Sequence, residues 1–211
     1  MLVVADLSAL PAAVGRLAAG RERVLVGLTG APAVGKSTVA EWLCQRLTSD
    51  GLPATCVPMD GFHLANSVLE RLGRRDRKGA PDTFDAHGYV ALLARLRAET
   101  GHTVYAPRFH REIEESYAGE IVVAPDVRVV VTEGNYLLVD AEPWRGVRPA
   151  LDAVWYLSTD EDTRMERLVR RHIAGGKPPD LAREWAYGSD QRNAELIAAT
   201  KHRADGEVYV S

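Results

Sequence analysis

An α/β fold, with a mostly parallel sheet carrying helices on both faces as a three-layer sandwich, is predicted by three observations. Runs at residues 23–29, 54–59, 127–132 and 151–157 are apolar almost throughout, as strands buried on both faces are. Stretches of helical periodicity separate these runs, which is the alternation of βαβ units. Between the first run and the first long helix stands Gly30-Ala31-Pro32-Ala33-Val34-Gly35-Lys36-Ser37-Thr38, which fits the pattern G-x-x-x-x-G-K-[ST].

That third observation carries chemistry. Two glycines let the backbone wrap closely around phosphate, and successive N–H groups with the helix N-terminus present positive charge to it. Lys36 is expected to span the β- and γ-phosphates and the Ser37 hydroxyl to hold Mg²⁺. The strand before the motif and the helix after it supply the context of the P-loop NTPases. In residues 36–49, Val39, Leu43, Cys44 and Leu47 mark one apolar helical face.

Taken in order, residues 6–19 read as a short amphipathic helix and 54–59 as a second strand running into Asp60-Gly61-Phe62-His63. Residues 71–80 read as an exposed basic loop, and Asp85 as the cap of a helix bearing Tyr89, Leu92, Leu93 and Leu96. Two extended pieces flank the polar stretch 111–116; the strand at 127–132 then runs into Glu133-Gly134. Ser158 with Glu161 reads as a capping box opening the next helix. Residues 181–200 read as one helix and 207–210 as an edge strand. We expect a single domain over 1–211, with a helical lid at about 160–180.

Composition is that of an ordinary globular chain, with 46% apolar and 26% charged residues and a net charge of −3. No global field calls for nucleic acid or a membrane surface. Cys44 and Cys56 read as thiols rather than a disulfide framework, and the six histidines have no zinc-ligand spacing. Residues 1–19 lack the pattern of a signal peptide and no run reaches membrane-span length, so a cytoplasmic location is expected.

In parallel sheets ligands bind beyond the carboxyl ends of the strands. Asp60 and Glu133 stand at two such ends beside the P-loop. Asp60 is placed to accept a hydroxyl proton from an attacking alcohol, or to cap a turn before Gly61. Glu133 is placed to hold Mg²⁺ directly or through water, or to bond local backbone N–H groups. Arg164, Arg167 and Arg171 recur at spacings of three and four on the lid helix, either as a solvated face or as phosphate ligands on closure.

With these motifs in this order, the chain resembles the uridine kinase, phosphoribulokinase and bacterial pantothenate kinase group of P-loop kinases. The resemblance rests on the P-loop, Met59-Asp60-Gly61-Phe62, Gly79-Ala80-Pro81-Asp82-Thr83-Phe84-Asp85, Val104-Tyr105-Ala106-Pro107-Arg108-Phe109, Glu133-Gly134, the lid arginines and Thr200-Lys201-His202-Arg203-Ala204-Asp205. It implies that Asp60 is the base. It also implies that His63, Phe84, Arg108, Phe109 and Arg111 line the acceptor pocket, and that Lys201 and Arg203 lie in a loop against the adenine.

The acceptor segment departs from the group. Phe109 stands where a tyrosine is expected, and Arg111 or the acidic run 112–115 where a histidine is expected, so neither uridine nor pantothenate carries over. Arg108, His110 and Arg111 offer cations to an anionic or heavily hydroxylated acceptor, or else pair with Glu112, Glu114 and Glu115.

The function expected is ATP- and Mg²⁺-dependent phosphorylation of a hydroxyl on a small metabolite: a nucleoside, a sugar or a pantothenate-like acceptor. A small-molecule partner is expected and nucleic acid and membrane are not; a homodimer is an open alternative to a monomer. A nucleotide switch or energy-coupling ATPase is the alternative use of the same P-loop, and it would need a water-positioning residue and a partner surface.

Overall fold

The computed structural model describes residues 6–210, so the first five residues of the segment read as lacking a leader lie outside it. Helix α1 (Leu10–Ala18) leads into β1 (Val24–Thr29), the P-loop and α2 (Lys36–Ser49). Next come β2 (Ala54–Cys56), α3 (Asn66–Arg71) and α4 (Ala86–Ala98), then β3 (Val104–His110), β4 (Glu115–Val123) and β5 (Val129–Glu133). Strand β6 (Ala153–Ser158), helices α5 (Glu161–Ala174), α6 (Pro179–Tyr187) and α7 (Ser189–Ala199), and β7 (Gly206–Tyr209) complete the chain.

Five strands pair in parallel in the order β2-β5-β1-β6-β7. Strand β1 is central, and the chain leaves it toward β2 and β5 on one side and β6 and β7 on the other. The loop after β1 therefore opens at the switch point of the sheet, where the strand ends splay around a crevice.

Alternation along the strands builds two cores, one per face, as a doubly covered parallel sheet requires. Val24, Val26 and Leu28 of β1 join Val129, Val131, Trp155 and Leu157 under α1 and α2. Leu25, Val130, Val154 and Tyr156 point the other way, against Tyr89, Leu92, Leu93 and Leu96 of α4 and against Val104, Ala106, Ile121 and Val123. Those last four belong to β3 and β4, an antiparallel pair that forms its own two-stranded sheet. Arg23 is buried, and its guanidinium donates to the carbonyls of Val127, Leu96, Glu99, Ala124 and Pro125 at 2.9–3.5 Å. These bonds tie the end of α4 and the β4–β5 connection to β1.

Three local expectations change. Strand β2 stops at Cys56, because Pro58 has no N–H to continue the ladder; Met59–Phe62 is instead a 3₁₀ turn, and it carries Asp60. The cap of α5 is Asp160, whose carboxylate accepts from the Thr163 N–H at 2.9 Å, while Ser158 ends β6. The helix expected over residues 181–200 is broken at Gly188 into α6 and α7. Asp85 caps α4 as expected, accepting from the Gly88 N–H at 2.8 Å.

The turn bearing Asp60 packs hard against the hairpin. A Cβ on Gly61 would come within 2.4 Å of the Pro107 carbonyl oxygen, a backbone atom that cannot swing aside. Gly61→Ala should therefore destabilise the fold by about 1–3 kcal/mol. Gly15, inside α1 with open space around it, should instead gain about 0.5–1 kcal/mol on replacement by alanine. Denaturant unfolding of both variants reads the two signs; a neutral Gly61→Ala would refute the close packing of this turn.

Candidate active site

The P-loop, the Asp60 turn, the end of β5, the hairpin tip and the lid surround one cleft of about 850 Å³. Its centre is the P-loop. Gly30 has φ of 153°, and a Cβ there would meet the Leu157 carbonyl oxygen at 2.5 Å, so only glycine lets the loop leave β1 beside β6. Ala33 (φ 67°) and Gly35 (φ 101°) are both left-handed, the alternation that makes an anion-binding nest ahead of α2.

Lys36, at the start of α2, is buried, and its ammonium donates to the Gly30 and Ala31 carbonyls at 3.0 Å each. Burial pushes its pKa down to about 8, against the pull of Glu133 and Asp60. The Ser37 hydroxyl donates to Glu133 Oε1 at 2.8 Å, joining the helix start to the end of β5. Burial first, and then the nearby Asp60 charge, raise the Glu133 carboxyl above its usual range.

Asp60 stands across from these groups and accepts from Arg111 Nη2 at 3.0 Å. Burial opposes its ionisation, but His63, Arg111, Lys36 and Arg171 outweigh that and hold it below the usual carboxylate range. Burial takes the His63 imidazole down to about 4, so it is neutral near pH 7 and the lasting cations around Asp60 are Arg111, Lys36 and Arg171. His63 stacks on Phe84 with ring centroids 4.0 Å apart and lies 4.6 Å from Phe109; its Nδ1 is buried without a hydrogen-bond partner.

Ser37 and Glu133 present two hard oxygen donors side by side beneath the loop. No group of three or more metal-ligating side chains occurs among the described residues. Mg²⁺ at phosphoryl-transfer sites is usually held by one or two protein oxygens, with phosphates and water completing its shell. The donors present suit that ion.

Lid residues Arg167 and Arg171 line the cleft. Burial and then the Arg111 charge lower the Arg171 pKa, as two guanidiniums face one space. Arg164 does not reach it. Its buried side chain donates to the Pro32 carbonyl (3.2 Å), Gln191 Oε1 (2.8 Å) and Glu161 (2.6 and 2.8 Å), and so braces the outer side of the P-loop.

Other expected residues also fall elsewhere. Arg108 pairs with Glu120 at 3.0 Å and His110 lies between Glu112 and Glu120, so of the three hairpin cations only Arg111 lines the cleft. Lys201 pairs with Glu207 over the Tyr156 ring, and Arg203 donates to the Leu138 carbonyl at 2.6 Å. The reason is strand direction. Strand β7 runs parallel to β6, so residues preceding it lie at the amino edge of the sheet, and Val210, which follows it, lines the cleft.

Leu7, Val39, Trp42 and Val210 make an apolar end to the cleft that sequence reasoning missed, as it missed Arg75 and Lys78 at the other end. Strand direction alone would have pointed to Val210. The substrate-like segment at residues 79–85 divides its work: Phe84 faces the cleft, Asp82 pairs with Arg74 and Arg77, and Asp85 caps α4.

Residues 25–177 match the model of the phosphoribulokinase/uridine kinase family. A Schizosaccharomyces pombe protein provisionally named a uridine kinase is 33% identical over 164 residues, spanning 74% of this chain and 69% of its own. Escherichia coli YggC, uncharacterised, is 33% identical over 190 residues, 88% of this chain and 77% of its own. The crystal structure of a Silicibacter sp. TM1040 protein provisionally described as a fructose transport system kinase is 40% identical, covers 97% of this chain and 99% of that one, and gives a TM-score of 0.88. At 20% identity, Saccharomyces cerevisiae YFH7 shares the fold, with a TM-score of 0.84 over 97% of this chain and 98% of that one. With most of its length matched by that model and its P-loop opening on the shared cleft, the chain belongs to the phosphoribulokinase/uridine kinase family of P-loop kinases.

Proposed function

We propose that this kinase transfers the γ-phosphoryl group of ATP to an alcohol oxygen of a small metabolite. One observation carries the reading: Asp60 lines the same cleft as Lys36 and Ser37, together with the packed rings of His63, Phe84 and Phe109. A switch or energy-coupling ATPase has no use for such an aromatic wall.

In this reading the adenine lies toward Trp42 and Val210 and the triphosphate over the P-loop. Lys36 exchanges its loop carbonyls for phosphate oxygens, which restores the pKa that burial has lowered. Ser37 and Glu133 would hold Mg²⁺, which when bound would supply neutralisation of charge on the phosphates. The acceptor oxygen attacks the γ-phosphorus as the bond to the β-γ bridging oxygen breaks. ADP leaves with that electron pair, and Asp60 takes the hydroxyl proton. Arg167 and Arg171 neutralise the charge that builds on the transferring group, where positioning and electrostatics do most of the work.

Two outcomes test these roles. Asp60→Asn keeps the shape of the side chain but removes the base, so single-turnover transfer should fall by about 10²–10⁴-fold while affinity for an ATP analogue holds. Transfer at near the original rate would remove Asp60 from the chemistry, and loss of nucleotide affinity would move it to the metal site. Arg171→Ala should lower kcat by about 10²–10³-fold with little change in nucleotide affinity. Arg164→Ala should act the other way, weakening nucleotide binding and thermal stability through the slackened P-loop. Parallel titration and kinetics of the two variants distinguish the roles, and an Arg171 variant with intact kcat contradicts the assignment.

A further inference from the structure

The acceptor end of the cleft carries a surplus of cations that phosphoryl transfer does not itself require. Arg75, Lys78 and Arg111 line it, against Asp60 and Glu114. Lys78 Nζ donates to Asn66 Oδ1 at 2.7 Å and to the Glu114 carbonyl, and sits 5.2 Å from the Phe109 ring centre. Glu114 holds φ of 56°, a left-handed conformation at the hairpin tip that brings this carbonyl to the lysine. The Glu115 carboxylate accepts from the Asn66 N–H at 2.9 Å. Arg74 and Arg77 both pair with Asp82, at 3.4 and 2.6 Å, whereas Arg75 has no ion-pair partner among the described residues.

Arg111 adds a constraint. It approaches the cleft from an exposed position and holds Asp60 at 3.0 Å, so the proposed base begins in an ion pair that weakens it. A neutral acceptor leaves that pair in place, or parts two charges without compensation. An acceptor with its own negative charge exchanges partners instead: its anion takes Arg111, and Asp60 is freed to face the hydroxyl. Lys78 and Arg111 both bear on His63, whose neutral ring and unpartnered Nδ1 suit a hydroxyl rather than an anion.

We infer that the acceptor is a hydroxylated acid, a carboxylate or a phosphate ester on a polyol, whose anionic group is held by Arg75, Lys78 and Arg111 while its hydroxyl faces Asp60. The inference rests on the kinase reading above and narrows its substrate class. Carboxylate and phosphate are alternative forms of the same anionic chemistry, and the test separates them.

With Mg²⁺ and a non-hydrolysable ATP analogue saturating the P-loop, calorimetric titrations compare glycerate with glycerol and ribose 5-phosphate with ribose. The charged member of at least one pair should bind about tenfold or more tightly than its neutral partner, and the pair that responds names the anion. Added salt should weaken only the charged member. Arg75→Gln combined with Lys78→Gln should reduce the preference about tenfold, leaving what Arg111 supplies, and Arg75→Lys with Lys78→Arg should keep most of it. Analogue binding by each variant reports an intact fold. No charged-over-neutral preference in either pair, absent binding included, overturns the inference, as does a preference left undiminished in the double glutamine variant. Failure of the unmutated protein to bind the analogue, or analogue binding indifferent to Lys36→Ala, overturns the kinase reading itself.

Discussion

Like charge gathered at the ends of parallel strands is the constraint on which this structure depends. The sheet order puts β1 beside β5, and the β2 edge beyond it, so Glu133 and the Asp60 turn come together above the P-loop. Two carboxylates facing one space resist ionising together, and burial first, then the Asp60 charge, raise the Glu133 carboxyl above its usual range. Lys36, Arg111 and Arg171 supply the compensation from three separate elements: the P-loop helix, the hairpin tip and the lid. Each of these cations has a temporary partner or none. Lys36 holds its own loop carbonyls, Arg111 holds Asp60, and Arg171 faces Arg111.

A triphosphate answers that arrangement. In a chain of net charge −3, the cleft is lined by seven lysines and arginines against four acids, so its field opposes that of the whole molecule. An anion entering it meets cations already gathered in one cleft, which exchange loop carbonyls and a carboxylate for it. The hairpin matters in the same way. Its separate two-stranded sheet brings Phe109 and Arg111 over the Asp60 turn, and the glycine at position 61 permits the approach.

Much of this was legible in the sequence where the signal is local. The P-loop, its helix over Lys36–Ser49, and the acids Asp60 and Glu133 were readable because each is fixed by a contiguous motif next to a strand. Phe84 and Phe109 were readable through resemblance. Arg164 misled because helical spacing gives a residue's face but not what that face packs against, and here it meets the back of the P-loop. Lys201 and Arg203 misled because a loop beside a strand belongs to one end of the sheet only, and pairing with β6 decides which. Arg75 and Lys78 were hidden in a basic stretch that reads as solvated. Their place depends on contacts with Asn66 and the hairpin tip, 12 and 36 residues from Lys78 along the chain.

In the proposed function the cleft passes a phosphoryl group between two bound molecules rather than to water. The most direct measurement supplies ATP labelled in its γ-phosphate, together with hydroxylated acids, and follows the label by mass spectrometry over a single turnover. Label should appear in a phosphate ester of the acid, formed in step with ADP. Label found only in inorganic phosphate, at a rate indifferent to the acid, would contradict that function.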